Sequence, residues 1–336
     1  MIKYSGCLIV MVTVVLTMHS SPLGAQSPTA AGPETTVPRT ADGRPDLQGV
    51  WSFATLTPMQ RPEEHAGKAV LTDEEAAKFV QNELQSRDKD QRREGVADVE
   101  DAYNQFWYDW GSGVIDTRRT SLIVDPLDGR IPALTKNGQT RRRTRSQRPD
   151  LPAMHDDLPY IERCLLGFNS GPPMAPSAYN NNMQLFQTGD HVVVFNEMVH
   201  DSRVISLDGR SPLPATIRQW MGSSRGRWEG DTLVVDTTNF LGETSFNPKG
   251  SRIVPGAAAT MHLTERFTRV DGNTLFYEFT VDDLSTWTRS WTAMVPMTFS
   301  QVPVFEYACH EGNYGLTGML SGARANERAA RENRSR

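Results

Sequence analysis

The sequence predicts a mainly β fold: an antiparallel meander closed as a calycin-like barrel, with a β-sandwich or jelly roll as the alternative closure, and one early α-helix. Three observations carry this. Past residue 110, runs rich in β-branched and aromatic residues recur, as in "DHVVVFNEMVHDSRVISLDGRSP" and "HLTERFTRVDGNTLFYEFTVDD". Most are followed or split by Asp-Gly or Gly-Asp, dipeptides that supply the positive φ angles of tight hairpins. Within runs, apolar residues alternate with polar ones, the period of a strand with one buried face.

The elements follow in order. Residues 1–25 read as a secretory signal peptide, with Lys3, then the apolar run "CLIVMVTVVL", then small residues ending at Ala25. Residues 26–45 are a Pro- and Thr-rich leader expected to gain order only near "DLQGVWSF". Thr72-Asp73-Glu74-Glu75 is a capping box and opens a helix expected over 72–93, with Ala76, Phe79, Val80 and Leu84 as its apolar stripe. "DAYNQFWYDW" gathers Tyr103, Phe106, Trp107, Tyr108 and Trp110 and is expected to plug one end of the barrel. Arg141 to Arg145 reads as a solvated basic loop.

Strands are then expected in "SLIVDPLDGRIPAL", in His191–Ile205, in "GRWEGDTLVVDTTNF", in Leu275–Asp282, in "STWTRSWTAMVPM" and in "VPVFEYACHE". In Leu275–Asp282 the residues Leu275, Tyr277, Phe279 and Val281 should face inward. Gly167–Asn182, "GFNSGPPMAPSAYNNN", is too long for a hairpin turn, and long irregular loops in compact domains often carry function. A single β-rich domain over 46–322 and a solvated tail over 323–336 complete the expectation.

Charge and cysteine content exclude several classes. A net charge of −5 and a single basic run do not make a nucleic-acid protein. No other segment is apolar enough to span a membrane, so no membrane association is expected once the signal is removed. Of the three cysteines, Cys7 lies in the signal, leaving Cys164 and Cys309. In an oxidising compartment two cysteines are most simply a disulfide. At 145 positions apart they would close a long loop.

Candidate chemistry rests on histidines near carboxylates. His200, His262 and His310 lie in or end separate strands, with Glu197, Glu265 and Glu306 as partners. Histidines converging inside a barrel can act as general acid and base, or bind zinc. No His-Glu-x-x-His, His-x-His or paired-cysteine signature is present, so no cofactor is expected and zinc is the lesser alternative. Arg118, Tyr179 and Asn181 from loops, with Trp107 from the aromatic cluster, are the candidate ligand-binding residues. Nucleophile-elbow, phosphate-loop and dinucleotide motifs are absent.

The stretches "PRTADGRPDLQGVW", "GRWEGDTLVVDTTNF", "HLTERFTRVDGNTLFYEFTVDD", "TWTRSWTA" and "YACHEGNYG" resemble a family of exported bacterial proteins, over most of residues 38–325. The resemblance implies export and brings no activity or catalytic residues. The expectation is a periplasmic or secreted enzyme, a lyase, isomerase or hydrolase, acting on a small organic or sugar-like ligand. The alternative is a lipocalin-like binding protein for an apolar or aromatic ligand.

Overall fold

Trp51 and Met297 anchor the two strands that close the barrel, and both are fully buried. The computed structural model describes residues 36–91, 94–95, 104–146, 152, 154–158, 160–242 and 259–334, and of residues 144–146 the backbone alone. The expected signal peptide lies outside the described residues, as do residues 26–35 of the leader and Tyr103.

The strands are β1 (Gly49–Ser52), β2 (Ile123–Asp125), β3 (Asn182–Gln187), β4 (His191–Asn196), β5 (Asp201–Ser206), β6 (Ser223–Glu229), β7 (Thr232–Thr238), β8 (His262–Arg269), β9 (Thr274–Asp282) and β10 (Trp291–Ser300). Nine of them close in the order β1-β3-β4-β5-β6-β7-β8-β9-β10 and back to β1, while β2 adds to the outer length of β10. The closure is therefore a barrel, not a sandwich. It is mixed: β5 and β6 run parallel, and every other pair is antiparallel. Closure pairs both flanks of the barrel strands apart from the short β5–β6 contact, and so removes most of the edges that would otherwise pair with other chains.

Alternation fixes what points inward. On β9 Leu275, Tyr277, Phe279 and Val281 are buried, and on β8 Leu263, Glu265, Phe267 and Arg269. These pack with Trp51, Trp291 and Leu233 into one core. Gly230-Asp231 turns β6 into β7 with Gly230 at φ +60°, a conformation a side chain disfavours.

Three α-helices stand among the described residues. α1 (Asp73–Arg87) starts on the expected capping box: Thr72 Oγ1 accepts from Glu75 N, and Glu75 returns a carboxylate to Thr72 N. It ends at Arg87 rather than 93, because Asp88 turns extended. The basic run is helical, not a loop. α2 (Lys136–Ser146) is pinned by Arg141 Nη2 to Thr286 Oγ1 at 2.5 Å. α3 (Tyr314–Arg334) runs across the expected domain boundary at 322 and buries Ala323. Within the expected leader, Arg39 pairs with Asp231 at 2.6 Å.

Two expected strands are corrected. His191–Ile205 is two strands, split by a corner in which Val199 and His200 both take positive φ. Residues 303–311 form no strand, because both flanks of β10 are already taken, by β9 on one side and by β1 and β2 on the other. This segment is instead strapped down by the Cys164–Cys309 disulfide. Asn313 Nδ2 adds a bond to Glu162 O at 2.7 Å, and Glu197 accepts from Phe305 N at 3.2 Å. Among the described residues, no helix is long and apolar enough to cross a membrane.

Candidate functional site

The long loop of residues 167–182 does not stay outside the barrel. Met174 and Ala175 are buried in the core, and Met174 N donates to Tyr277 Oη at 3.1 Å. Two asparagines hold the loop. Asn169 Nδ2 donates to Tyr179 O at 3.0 Å and to Asn181 Oδ1 at 3.1 Å. Asn181, fully buried, donates to Asp109 O and Ser177 O at 2.6 and 2.9 Å and accepts from Ser177 N at 2.8 Å. Its own carbonyl accepts from Phe53 N at 2.8 Å. Asn181 thus welds the long loop to the aromatic segment through its side chain and to the strand end after β1 through its backbone carbonyl.

The aromatic segment is not a plug. Phe106 and Trp107 stand 84% and 57% exposed. Tyr108 and Trp110 instead stack, with ring centroids 5.1 Å apart and planes 9° apart. Gly111, at φ +79°, lets this segment lie against Ala54, whose carbonyl carbon would sit 2.9 Å from any Cβ there.

Beside Trp110 opens a cavity of about 670 Å³, within the range of small-molecule sites. Three arginines line it, each from a different segment: Arg61 after β1, Arg87 at the end of α1 and Arg130 after β2. Arg61 is only 8% exposed, and its recorded partners are Thr120 Oγ1 at 2.9 Å and Leu127 O at 3.2 Å, neither of them a carboxylate. Arg130 Nε caps the Arg61 carbonyl at 3.2 Å, and its guanidinium reaches only the exposed Glu63, at 3.7 Å. Arg87 is paired with Glu83 and lies 4.9 Å from the centre of the Trp110 ring. Gly129, at φ +70°, allows the turn that brings Arg130 here, since a Cβ would fall 2.4 Å from Ser121 Oγ.

No carboxylate is among the residues lining this cavity, and the indole Nε1 of Trp110 is buried without a hydrogen-bond partner. A cationic wall without a carboxylate, flanked by an aromatic side chain, suits an anionic group on an apolar body.

A second constellation lies inside the barrel. Arg203 and Glu265 form a buried, two-pronged ion pair, with Arg203 Nη2 on Glu265 Oε1 at 2.9 Å. Tyr277 Oη donates to the same oxygen at 2.8 Å. Ser224 and Thr237, bonded to each other at 2.9 Å, lie within 3.4 Å of Arg203 Nη1. Burial, then the adjacent Glu265, push the Tyr277 hydroxyl well above its ordinary pKa, so it stays a donor. For Arg203 burial works against the charge, and Glu265 more than offsets it.

The three candidate histidines are not brought together inside the barrel. His200 sits at the exposed corner after β4, edge-on to Phe195 at 4.7 Å. Alternation failed for it because the two left-handed residues break the strand. His262, 46% exposed, heads β8 on the outer face and meets Asp236 at 2.9 Å. His310 and Glu306 are exposed in the strapped segment. Of the carboxylates, Glu265 alone points into the core. Glu197 is buried but serves structure, accepting from Asn182 Nδ2 at 2.7 Å as well as from Phe305 N. Among the described residues, no group of three His, Cys, Asp or Glu could hold a metal ion.

The loop candidates fare differently. Asn181 and Tyr179 build the wall that carries Trp110, Tyr179 through edge contacts with Phe168 and Tyr108 at 5.2 and 6.2 Å. Arg118 pairs with Asp73 at the start of α1, and Trp107 packs edge-on to Phe106. Sequence reasoning missed Arg61, Arg87 and Arg130. The one available signal was that "QRP" sets Arg61 directly before Pro62 and "GRIP" sets Arg130 two residues before Pro132. No family model, no curated protein and no solved structure matches the chain.

Proposed function

We propose that the chain is an exported binding protein for a small organic anion carrying a flat ring, held in the arginine cavity beside Trp110. The observation that supports this reading is Arg61. A guanidinium this deeply buried is ordinarily matched by a carboxylate, and this one is held by a hydroxyl and a carbonyl. Its charge is therefore available to a ligand in the cavity, with Arg87 and Arg130 adding theirs. The Cys164–Cys309 bridge supports an oxidising compartment, periplasmic or extracellular. The enzymatic reading has less support, because His200, His262 and His310 lie on the outer surface rather than around one cavity.

Calorimetric titration of the full chain with benzoate, 4-hydroxybenzoate and nicotinate, each beside its uncharged amide, tests the reading. The acids should bind and the amides bind at least about ten-fold more weakly, the cost of one charge-assisted hydrogen bond. Equal affinities, or no binding of any acid, would overturn it.

A further inference from the structure

The barrel wall has one weak joint. β5 and β6 share a single paired position, Ser206 with Arg225, and they run parallel. Parallel neighbours cannot be joined by a hairpin, so residues 207–222 cross over between them. At the contact point Gly226 leaves room for β5: a Cβ there would meet Leu207 Cδ2 at 2.5 Å and Ile205 Cγ2 at 2.8 Å. Below that point the strands part.

The gap is a cavity of about 490 Å³. Its lining includes four consecutive residues of β5, Asp201 to Arg203 and then Val204, and consecutive residues Gly222 to Arg225 at the start of β6. Neighbouring residues of a strand point to opposite faces. Consecutive residues can line one cavity only if it lies at the strand edges, between β5 and β6. The edge backbone groups of both strands therefore border it as donors and acceptors. Leu213, Gln219 and Trp220 of the crossover segment line it as well, and its volume suits a small molecule.

The charges facing the gap cancel. Asp201 is half-buried, its recorded bond comes from Ser202 N at 2.9 Å, and burial pushes its acid upward. Arg225 is half-buried opposite, tied to carbonyls of Ser211 and Ser224. Arg203 at the floor is neutralised by Glu265. Trp220 already carries the Arg163 guanidinium over its ring at 5.9 Å, and that charge is matched by Asp156 at 2.8 Å. A net-neutral lining rich in donors and acceptors, with the rest of Trp220 and Met221 as apolar wall, selects neither an ion nor an oil.

We propose that this seam is a second binding site, and that it takes a neutral polyhydroxylated ring of monosaccharide size, with Asp201 accepting from its hydroxyls and Trp220 against its C–H face. The site is independent of the arginine cavity, so neither proposal depends on the other.

Saturation-transfer NMR on the full chain with D-glucose, D-mannose and myo-inositol, beside cyclohexanol and propylammonium, tests it. At least one polyol should receive transfer, and cyclohexanol and propylammonium should not. Asp201→Asn should weaken that polyol's binding by about ten-fold or more, and Trp220→Ala should also weaken it. The double variant R87Q/R130Q should leave it unchanged. Thermal unfolding of each variant confirms that it folds, and an Asp201→Glu variant that restores part of the binding separates recognition from misfolding. Transfer to cyclohexanol or propylammonium alone, no transfer to any polyol, or full retention in Asp201→Asn would overturn the proposal.

Discussion

The Arg87 guanidinium carbon lies 4.9 Å from the centre of the Trp110 ring, and both side chains line the same cavity. A cation against an aromatic face is an attraction worth about 0.5–2 kcal/mol, depending on how dry the site is. Here it fixes the position of a charge and of a planar wall together.

Replacing that wall should therefore weaken binding without unfolding the protein. Trp110→Leu is expected to raise the Kd of a ring carboxylate by about ten-fold, because the indole that Tyr108 and Arg87 pack against no longer holds the Arg87 charge and the cavity wall in place. Titration calorimetry measures it, and an unchanged Kd would separate Trp110 from recognition.

Glu265→Gln should be far more damaging to stability. It removes the charge opposite Arg203, which is 6% exposed, and leaves that guanidinium buried and unmatched. Breaking a buried pair from one side costs about 3–5 kcal/mol. Urea unfolding should show this loss, with recovery in the double variant Arg203→Met/Glu265→Leu. A loss below about 1 kcal/mol would mean the charge relaxes to solvent through the seam.

Asn181→Ala should loosen the wall of the cavity. The substitution strands Asp109 O, Ser177 O and Ser177 N, and each unsatisfied buried group costs about 1–3 kcal/mol. Lower stability with weaker binding of the ring carboxylate is expected. Asn181→Asp should not rescue it, since Asp lacks the two donated hydrogens.

Acid should cost the protein the bonds around Asp236. Burial tends to raise this carboxyl, but hydrogen bonds from Arg227, Thr264 and His262 more than offset that and hold it below its ordinary value. A depressed folded value means the stabilisation is present above the unfolded pKa of about 3.9 and is lost as pH falls through the folded one. Wild type should thus exceed Asp236→Asn in unfolding midpoint at pH 7, with the difference shrinking as pH falls below the ordinary carboxylate range. The pairs here are partly exposed, so the gain at pH 7 is at most about 1 kcal/mol. A difference independent of pH would remove the carboxylate as its source.

Much of the barrel was legible because its signals are local. The inward set on β9 and the Gly230-Asp231 turn each follow from residues within one strand or one hairpin. The corner after β4 was not legible, since nothing in "EMVH" announces a β-branched valine at φ +63°. The strand read into "VPVFEYACHE" has the right alternation, yet both flanks of β10, the strand just before it, are already taken. The disulfide was readable from the cysteine count together with the expectation of export. The cationic cavity was not, because Arg61, Arg87 and Arg130 reach it from three segments with no shared period. Trp110 was seen as one aromatic among several, and only the weld through Asn181 selects its face.

The most direct test of the central claim is the double variant Arg87→Gln/Arg130→Gln, titrated with 4-hydroxybenzoate in low salt. Both side chains are more exposed than Arg61, so the fold should survive. If the cavity holds an organic anion, the Kd rises by about ten-fold or more while 4-hydroxybenzamide is unaffected. A Kd for the acid equal to that of the wild type would contradict the account.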